Sequence, residues 1–325
     1  MKAVLCKAYG PPETLVIEDI PSLEPKKGEV VIAVKACGVN FPDTLIIEGK
    51  YQFKPEPPFS PGSEVAGVVK VVGEGVKHLK VGQRVFALTV YGGYAEEATA
   101  DAKTTFPIPP GMSFDQAAAF SMTYGTSYHA LFDRAKIKKG ETILVLGAAG
   151  GVGLTAVELA ALKGAKVIAA ASTDDKLAVC REYGATETIN YSKEDLKSRI
   201  KELTGGKGVD VVYDPVGGDY SEAALRGMAW KGRYLVIGFA AGEIPKIPLN
   251  LPLLKGCEIV GVFWGAFAQR NPQGNMANFM QMLQWLGEGK LNPHIHARFP
   301  LERATDAMNE LLQRKVKGKL LLVTE

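Results

Sequence analysis

Two textures of apolar and polar positions divide the chain. Through about residue 110 the apolar residues come in short valine-rich runs, KAVLCKAY, EVVIAVKACGV, EVAGVVKVVGEG and QRVFALTV, each bounded by Gly or Pro. Such runs predict strands, and GEG (73–75), YGGY (91–94) and PIPPGM (107–112) supply the turns between them. Several short strands at this spacing predict a compact, β-barrel-like domain. From Ser113 the pattern changes. FDQAAAFSMTYGTSYHALFD has helical periodicity, and Ser113 or Asp115 is suited to cap its start. Strands and helices then alternate: ETILVLG, GVGLTAVELAALKGA, KVIAAAS, DDKLAVCREYGA, TETIN, EDLKSRIKELTGG, GVDVVYDPVGG, YSEAALRGMAW and GRYLVIGF, with EIVGVFW as a sixth strand. This rhythm predicts an α/β fold with a doubly wound parallel sheet.

The last segment breaks the rhythm. NFMQMLQWLGEGKL predicts an amphipathic helix whose Met and Trp positions face a core, and RATDAMNELLQRKVKGKLLLV a final helix and strand. The tail is expected to fold back onto the first domain. The expected division is therefore residues 1–123 with 262–325 as one domain and 124–261 as the other.

Composition narrows the class. The chain has 325 residues, 46% hydrophobic and 22% charged, with a formal net charge of +3. Charges of both signs are interspersed, so no nucleic-acid-binding or polybasic membrane patch is expected. Cysteines stand at 6, 37, 180 and 257 without a CxxC pair, which argues against a disulfide framework or a four-cysteine zinc lobe. MKAVLCKAYGPPE lacks the apolar core of a signal peptide, and no apolar run approaches a membrane span. The expectation is a cytoplasmic, two-domain protein. His294-x-His296 has the look of a ligand pair, but alternate residues in a proline-bounded segment are better read as solvent-facing or hydrogen-bonded.

Chemistry enters with LVLGAAGGVGL. Ala149, Gly150, Gly151 and Val152 lie between a predicted strand and a predicted helix, where a tight turn lets a pyrophosphate approach the backbone and the helix N-terminus. A glycine triplet alone is weak evidence, but heading a series of βα units it points to dinucleotide binding. The end of the second strand selects the dinucleotide. An acidic residue there would hold both ribose hydroxyls of NAD; this chain has Ala171-Ser172. Small residues leave room for a 2′-phosphate, Ser172 can donate to it, and Lys176 follows one turn later, which favours NADPH. Lys176 as a plain exposed helix lysine is the alternative. Asp174 and Asp175 pull the other way, although Ser172-x-x-Asp175 also reads as a capping box.

CGVNFPDT, PGSEVAGVV, VGQRVF, YGGYAEE, the glycine turn, DPVGG and the terminal GKLLLV together resemble the medium-chain dehydrogenase/reductase superfamily, and within it the zeta-crystallin-like quinone oxidoreductases. The resemblance spans essentially the whole chain. It implies a Rossmann domain joined to a GroES-like catalytic domain, with the active site in a cleft. In the zinc alcohol dehydrogenases of that superfamily a catalytic cysteine matches Asn40 and a histidine matches Ser63. Asn and Ser are poor zinc ligands, and no cysteine lies between 37 and 180 to hold a structural zinc. Cys37 is in the right neighbourhood at the wrong position, so no metal is expected.

Without a Lewis acid, oxidising an unactivated alcohol is hard, whereas a conjugated carbonyl accepts hydride at an electron-poor carbon and spreads charge onto oxygen. The expected activity is NADPH-dependent reduction of quinones or other α,β-unsaturated carbonyls. An enone or haloacrylate-type double-bond reductase, or a non-catalytic NADPH-binding protein, would share the motifs. By the resemblance, Asn40 and Tyr51 line the nicotinamide end, with Tyr51 either donating to substrate oxygen or only shaping the rim. Asp43 reads as a supporting group, and Thr126 as a cofactor contact or a self-satisfied helix hydroxyl. Tyr191 falls on the adenosine side and Arg314 near the 2′-phosphate. Gly238-Phe239 and Phe263-Trp264 are expected at the carboxyl ends of the fifth and sixth strands. There the second pair would form a pocket wall or be buried at a subunit interface. The family's usual glutamine is Glu158 here, and its basic residue three positions on is Ala161. Members commonly form homodimers by joining sheet edges, for which EIVGVF is suited.

Overall fold

The computed structural model describes residues 1–324, and the chain divides into two compact units, Met1–Met122 with Pro293–Glu325, and Thr123–Asn292. The first unit is built on the strand Glu29–Val39. One edge of this strand pairs antiparallel with Glu64–Val72. Its other edge is shared, Glu97–Asp101 taking the first half and Lys319–Val323 the second. Arg84–Leu88 and Thr105–Pro107 extend the sheet beyond Glu64–Val72, and Ile295–Pro300 extends it beyond Lys319–Val323. Register shifts at Val31/Ile32 and Val34/Ala36 act as bulges that sharpen the twist. Val30, Ile32, Val65, Val85 and Leu320 are fully buried in one core, which the near-continuous apolar run of EVVIAVKACGV requires.

The central strand ends at Asn40, where the helix Phe41–Ile47 begins. Asp43 closes its first turn by accepting the Asn40 backbone N–H at 2.8 Å. The Asp43 carboxylate is fully buried and also accepts the hydroxyls of Ser63 and Tyr94, each at 3.2 Å. Burial is the dominant influence and lifts its pKa to about 6, against the pull of these bonds and of Lys319.

The second unit carries six parallel strands in the spatial order Glu187–Asn190, Lys166–Ala171, Thr142–Leu146, Val209–Asp214, Met228–Val236 and Glu258–Gly261. The order reverses between Thr142–Leu146 and Val209–Asp214, the switch point at which doubly wound sheets bind ligands beyond their carboxyl ends. The helix Gly151–Leu162 leaves this point, and its Leu154, Ala156, Val157 and Leu159 are buried.

Three expectations are corrected. The single helix from Ser113 is instead Phe114–Ala118, Ser121–Tyr128 and a π-helical turn His129–Arg134. Ser113 caps the first piece, and just past the break the Met122 N–H is drawn to the Glu64 carboxylate at 2.9 Å. The helix after Ala171 starts behind Thr173, so Ser172-x-x-Asp175 forms no capping box. The sixth strand stops at Gly261, and residues 262–292 belong to the second unit rather than to the first. Its helices Trp264–Arg270 and Pro272–Gly287 bury Trp264, Phe279 and Met282, and Asn278 donates to Asp133 at 2.8 Å. Those side chains bind the segment to the sheet's own helices.

The raised pKa of Asp43 gives stability a sign. In the window between its ordinary value near 4 and its folded value of about 6, the folded state holds the extra proton. Asp43 therefore favours folding in acid, and that contribution is lost as pH rises through about 6. Between about pH 5 and about pH 7.5 the wild type should lose roughly 1 kcal/mol of stability relative to Asp43→Asn, measured by denaturant unfolding at each pH. An unchanged difference would contradict the assignment.

Candidate functional site

In the first unit the groups of interest gather where three strand ends meet. Asn40 follows Glu29–Val39, Ser63 and Glu64 open Glu64–Val72, and Lys319 opens Lys319–Val323. Asn40, Ser63, Glu64 and Lys319 are all buried. The Lys319 ammonium donates to Asn40 Oδ1 at 2.6 Å, to Glu64 Oε2 at 3.2 Å and to the Val39 carbonyl at 3.2 Å. Asn40 Nδ2 donates to the Gly38 carbonyl and to Glu64 Oε2, each at 3.2 Å. A carboxamide nitrogen has two hydrogens, and both are engaged. The ammonium on Oδ1 fixes which way the amide faces. Both amide hydrogens of Asn40 are thus turned to acceptors within the first unit.

Lys319 is the residue the sequence reading missed. Its one signal is a lysine between Gly318 and the apolar run LLLV, where a strand facing a core would carry another hydrophobe. Gly38 shows how tightly the cluster is packed: a Cβ there would stand 2.4 Å from the Ala118 carbonyl and 2.7 Å from Glu64 Oε2. Cys37 is buried beside this cluster, and burial pushes its thiol well above the usual range, so it is not a ready thiolate ligand. Among the described residues no group of three or more His, Cys, Asp and Glu is placed to hold a metal ion. His296 pairs instead with Glu310 at 3.0 Å.

Tyr51 packs half-buried against the same core. Burial, and then the nearby Asp43 charge, raise its phenol, so it holds its proton at neutral pH. Arg314 is exposed in the first unit just after the helix Ala304–Leu312, with a left-handed φ of 57°.

In the second unit the expected dinucleotide residues collect at the carboxyl ends of the strands. The turn Gly147–Gly150 leads into Gly151–Leu162, and Gly150 at its N-cap brings no side chain to its first-turn N–H groups. Gly153 is required by close approach, since a Cβ there would stand 2.3 Å from the Gly147 carbonyl. Ala149, Gly150, Gly151 and Val152 therefore present backbone N–H groups at a helix N-terminus that no side chain caps, which suits a pyrophosphate. Thr126 lies on the helix Ser121–Tyr128, whose Ser127 hydroxyl donates to the Val152 carbonyl at 2.9 Å.

Ser172 follows the second strand, and Lys176 donates to its hydroxyl at 3.3 Å. Asp174 is turned aside, paired with Lys193 at 2.6 Å and Asn190 at 2.5 Å. Tyr191, after the neighbouring strand, bonds through its N–H to the Ala171 carbonyl at 3.2 Å and packs its ring 4.4 Å from that of Tyr220. Gly238 and Phe239 lie just past the fifth strand, where the N–H groups of Gly238, Ala240 and Ala241 bond back to Asp214, Pro215 and Val216. Asp214 fixes that facing turn by accepting from Val216 and Gly217 N–H and from the hydroxyls of Ser221 and Tyr234. The pair Phe263-Trp264 does not act as one wall. Phe263 is 54% exposed, while Trp264 is buried and donates its indole N–H to Asn275 at 3.0 Å. Glu158 is a brace, accepting from the Tyr124 hydroxyl at 2.6 Å and the Asn292 N–H at 2.8 Å.

Comparison with known proteins matches both units. Residues 26–110 fit the alcohol dehydrogenase GroES-like domain family, and residues 151–285 fit the zinc-binding dehydrogenase family. A quinone oxidoreductase-like protein 2 homolog of Nematostella vectensis is 44% identical, covering 100% of this chain and 89% of the relative. Human quinone oxidoreductase is 35% identical, with 99% of this chain and 98% of the relative covered. The crystal structure of Escherichia coli quinone oxidoreductase complexed with NADPH superposes over 100% of both chains at a TM-score of 0.93 and 32% identity. The β-rich first unit is the GroES-like domain and the second the Rossmann domain of this fold. With likeness along its whole length, the chain belongs to the quinone oxidoreductase family of the medium-chain dehydrogenase/reductase superfamily.

Proposed function

We propose that this oxidoreductase uses NADPH to reduce quinones or other α,β-unsaturated carbonyl compounds, and that it does so without zinc. The observation that carries the reading is the Lys319 ammonium on Asn40 Oδ1 and Glu64 Oε2. A cation already occupies the polar end of the site, and the neighbouring side chains are a carboxamide and a hydroxyl rather than thiolate and imidazole.

The residues fit NADPH as follows. The backbone of Ala149, Gly150, Gly151 and Val152 would hold the pyrophosphate, and Ser172 and Lys176 the 2′-phosphate. Asp174, held by Lys193 and Asn190, is kept from opposing that phosphate. Tyr191 would border the adenosine, while Thr126, Gly238, Phe239 and Phe263 would border the rest of the cofactor. When bound, NADPH supplies a hydride from its nicotinamide ring. Tyr51 would orient the acceptor by donating its phenolic hydrogen to the carbonyl oxygen, where negative charge develops. The acceptor then needs one proton to complete reduction, and the protonated Tyr51 or solvent supplies it. Asn40 would shape the pocket as a fixed wall.

A homodimer is part of the same reading. Glu258–Gly261 is the sheet's outer strand with Ile259 exposed, and Leu249, Leu253 and Leu254, which precede it in sequence, are at least 70% exposed. Such an apolar edge suits a second copy of the chain. Leu253→Glu should convert the dimer to monomer in sedimentation analysis. A wild-type protein that sediments as a monomer would contradict this edge as an interface.

The activity is tested by following NADPH oxidation with benzoquinone, phenanthrenequinone and a simple enone, with NADH as the control. Turnover should favour NADPH by about tenfold or more in kcat/KM, and Lys176→Ala should cut that preference by roughly tenfold through KM. No turnover with any acceptor despite saturable NADPH binding would overturn the catalytic reading. Preference for NADH would overturn the phosphate site.

A further inference from the structure

We propose that Lys319 is a positioning residue that sets the charge of the acceptor site. Its ammonium cancels the buried Glu64 carboxylate, which would otherwise oppose the negative charge that builds on the acceptor oxygen. This rests on the reading of the chain as a reductase of conjugated carbonyls.

The geometry gives the ammonium a place in the site that fold stability alone does not require. A lysine 4% exposed and a glutamate 0% exposed are costly to bury, and the pair stands beside a core of mainly apolar side chains. Glu64 uses both oxygens. Oε1 takes the Met122 N–H at 2.9 Å, and Oε2 takes Asn40 Nδ2 and the Lys319 ammonium. The Lys319 contact is the one salt bridge of Glu64 among the described residues. The other titratable groups facing this cluster, Asp43, Cys37 and Tyr94, add no positive charge. In a dry interior a charge acts over several ångströms, so an unbalanced Glu64 would be felt by an acceptor resting against Asn40 and Tyr51. Lys319 also orients Asn40, since its hydrogen bond to Oδ1 directs both amide hydrogens back into the protein.

A charge-setting role and a merely structural one predict different signs. Lys319→Met leaves Glu64 uncompensated and should lower kcat about tenfold, with the KM for NADPH changed by less than about twofold. Glu64→Gln removes the opposite charge while keeping the shape, and should raise kcat roughly twofold. The double variant Lys319→Met/Glu64→Gln, which removes one charge of each sign and so keeps the net charge of wild type, should return kcat to within about threefold of wild type. A purely structural pair would lower kcat in both single variants, with no recovery in the double, and that result would overturn the inference. Should Lys319→Met fail to fold, Glu64→Gln and the double variant still decide, because a fall of kcat in Glu64→Gln contradicts the charge account. An inactive wild type overturns the functional reading, and this inference with it. An active wild type in which Glu64→Gln loses kcat overturns this inference alone.

Discussion

A buried lysine ties together three strand ends of the first unit. Lys319 opens the strand Lys319–Val323, and its ammonium reaches the end of Glu29–Val39 through the Val39 carbonyl and Asn40, and the start of Glu64–Val72 through Glu64. Three strands that meet edge to edge through backbone bonds are thereby joined at their polar tips by one cation. The orientation of Asn40 follows from it, while the other oxygen of Glu64 takes the Met122 N–H. Burying such a pair costs solvation, which three acceptors on the ammonium and, besides the ammonium itself, five donors to the carboxylates of Glu64 and Asp43 offset.

The second unit works through bare backbone. The winding order of the parallel sheet reverses between Thr142–Leu146 and Val209–Asp214, and at that point one turn is built of Gly and Ala while the facing turn is fixed by Asp214. Side chains are absent where phosphates would lie and return at Ser172 and Lys176, where the cofactor's distinguishing phosphate would lie. In the proposed reading, recognition of the dinucleotide depends on the small residues of the 147–151 turn as much as on the groups at 172 and 176.

Much of this was legible in the sequence. The βα alternation and the glycine turn specify the parallel sheet because period and turn chemistry are local properties. Substitution of Asn and Ser at positions 40 and 63 was legible by resemblance. The ammonium beside Asn40 was not, since Lys319 lies hundreds of residues from Asn40 and Glu64 in sequence. The same limit applies to Asn40, whose hydrogens are spent on Gly38 and Glu64, and to Trp264, which a strand pattern assigned to a pocket but a helix start turns into the core. In each case the deciding partner is distant in sequence, and periodicity carries no information about it.

The most direct test of this account is a crystal structure of the protein grown with excess zinc, with anomalous diffraction recorded at the zinc edge. The account predicts no zinc signal beside Asn40 and Ser63, and the Lys319 ammonium in hydrogen-bond contact with Asn40 and Glu64. A zinc peak at that position, with Lys319 displaced from both partners, would contradict it.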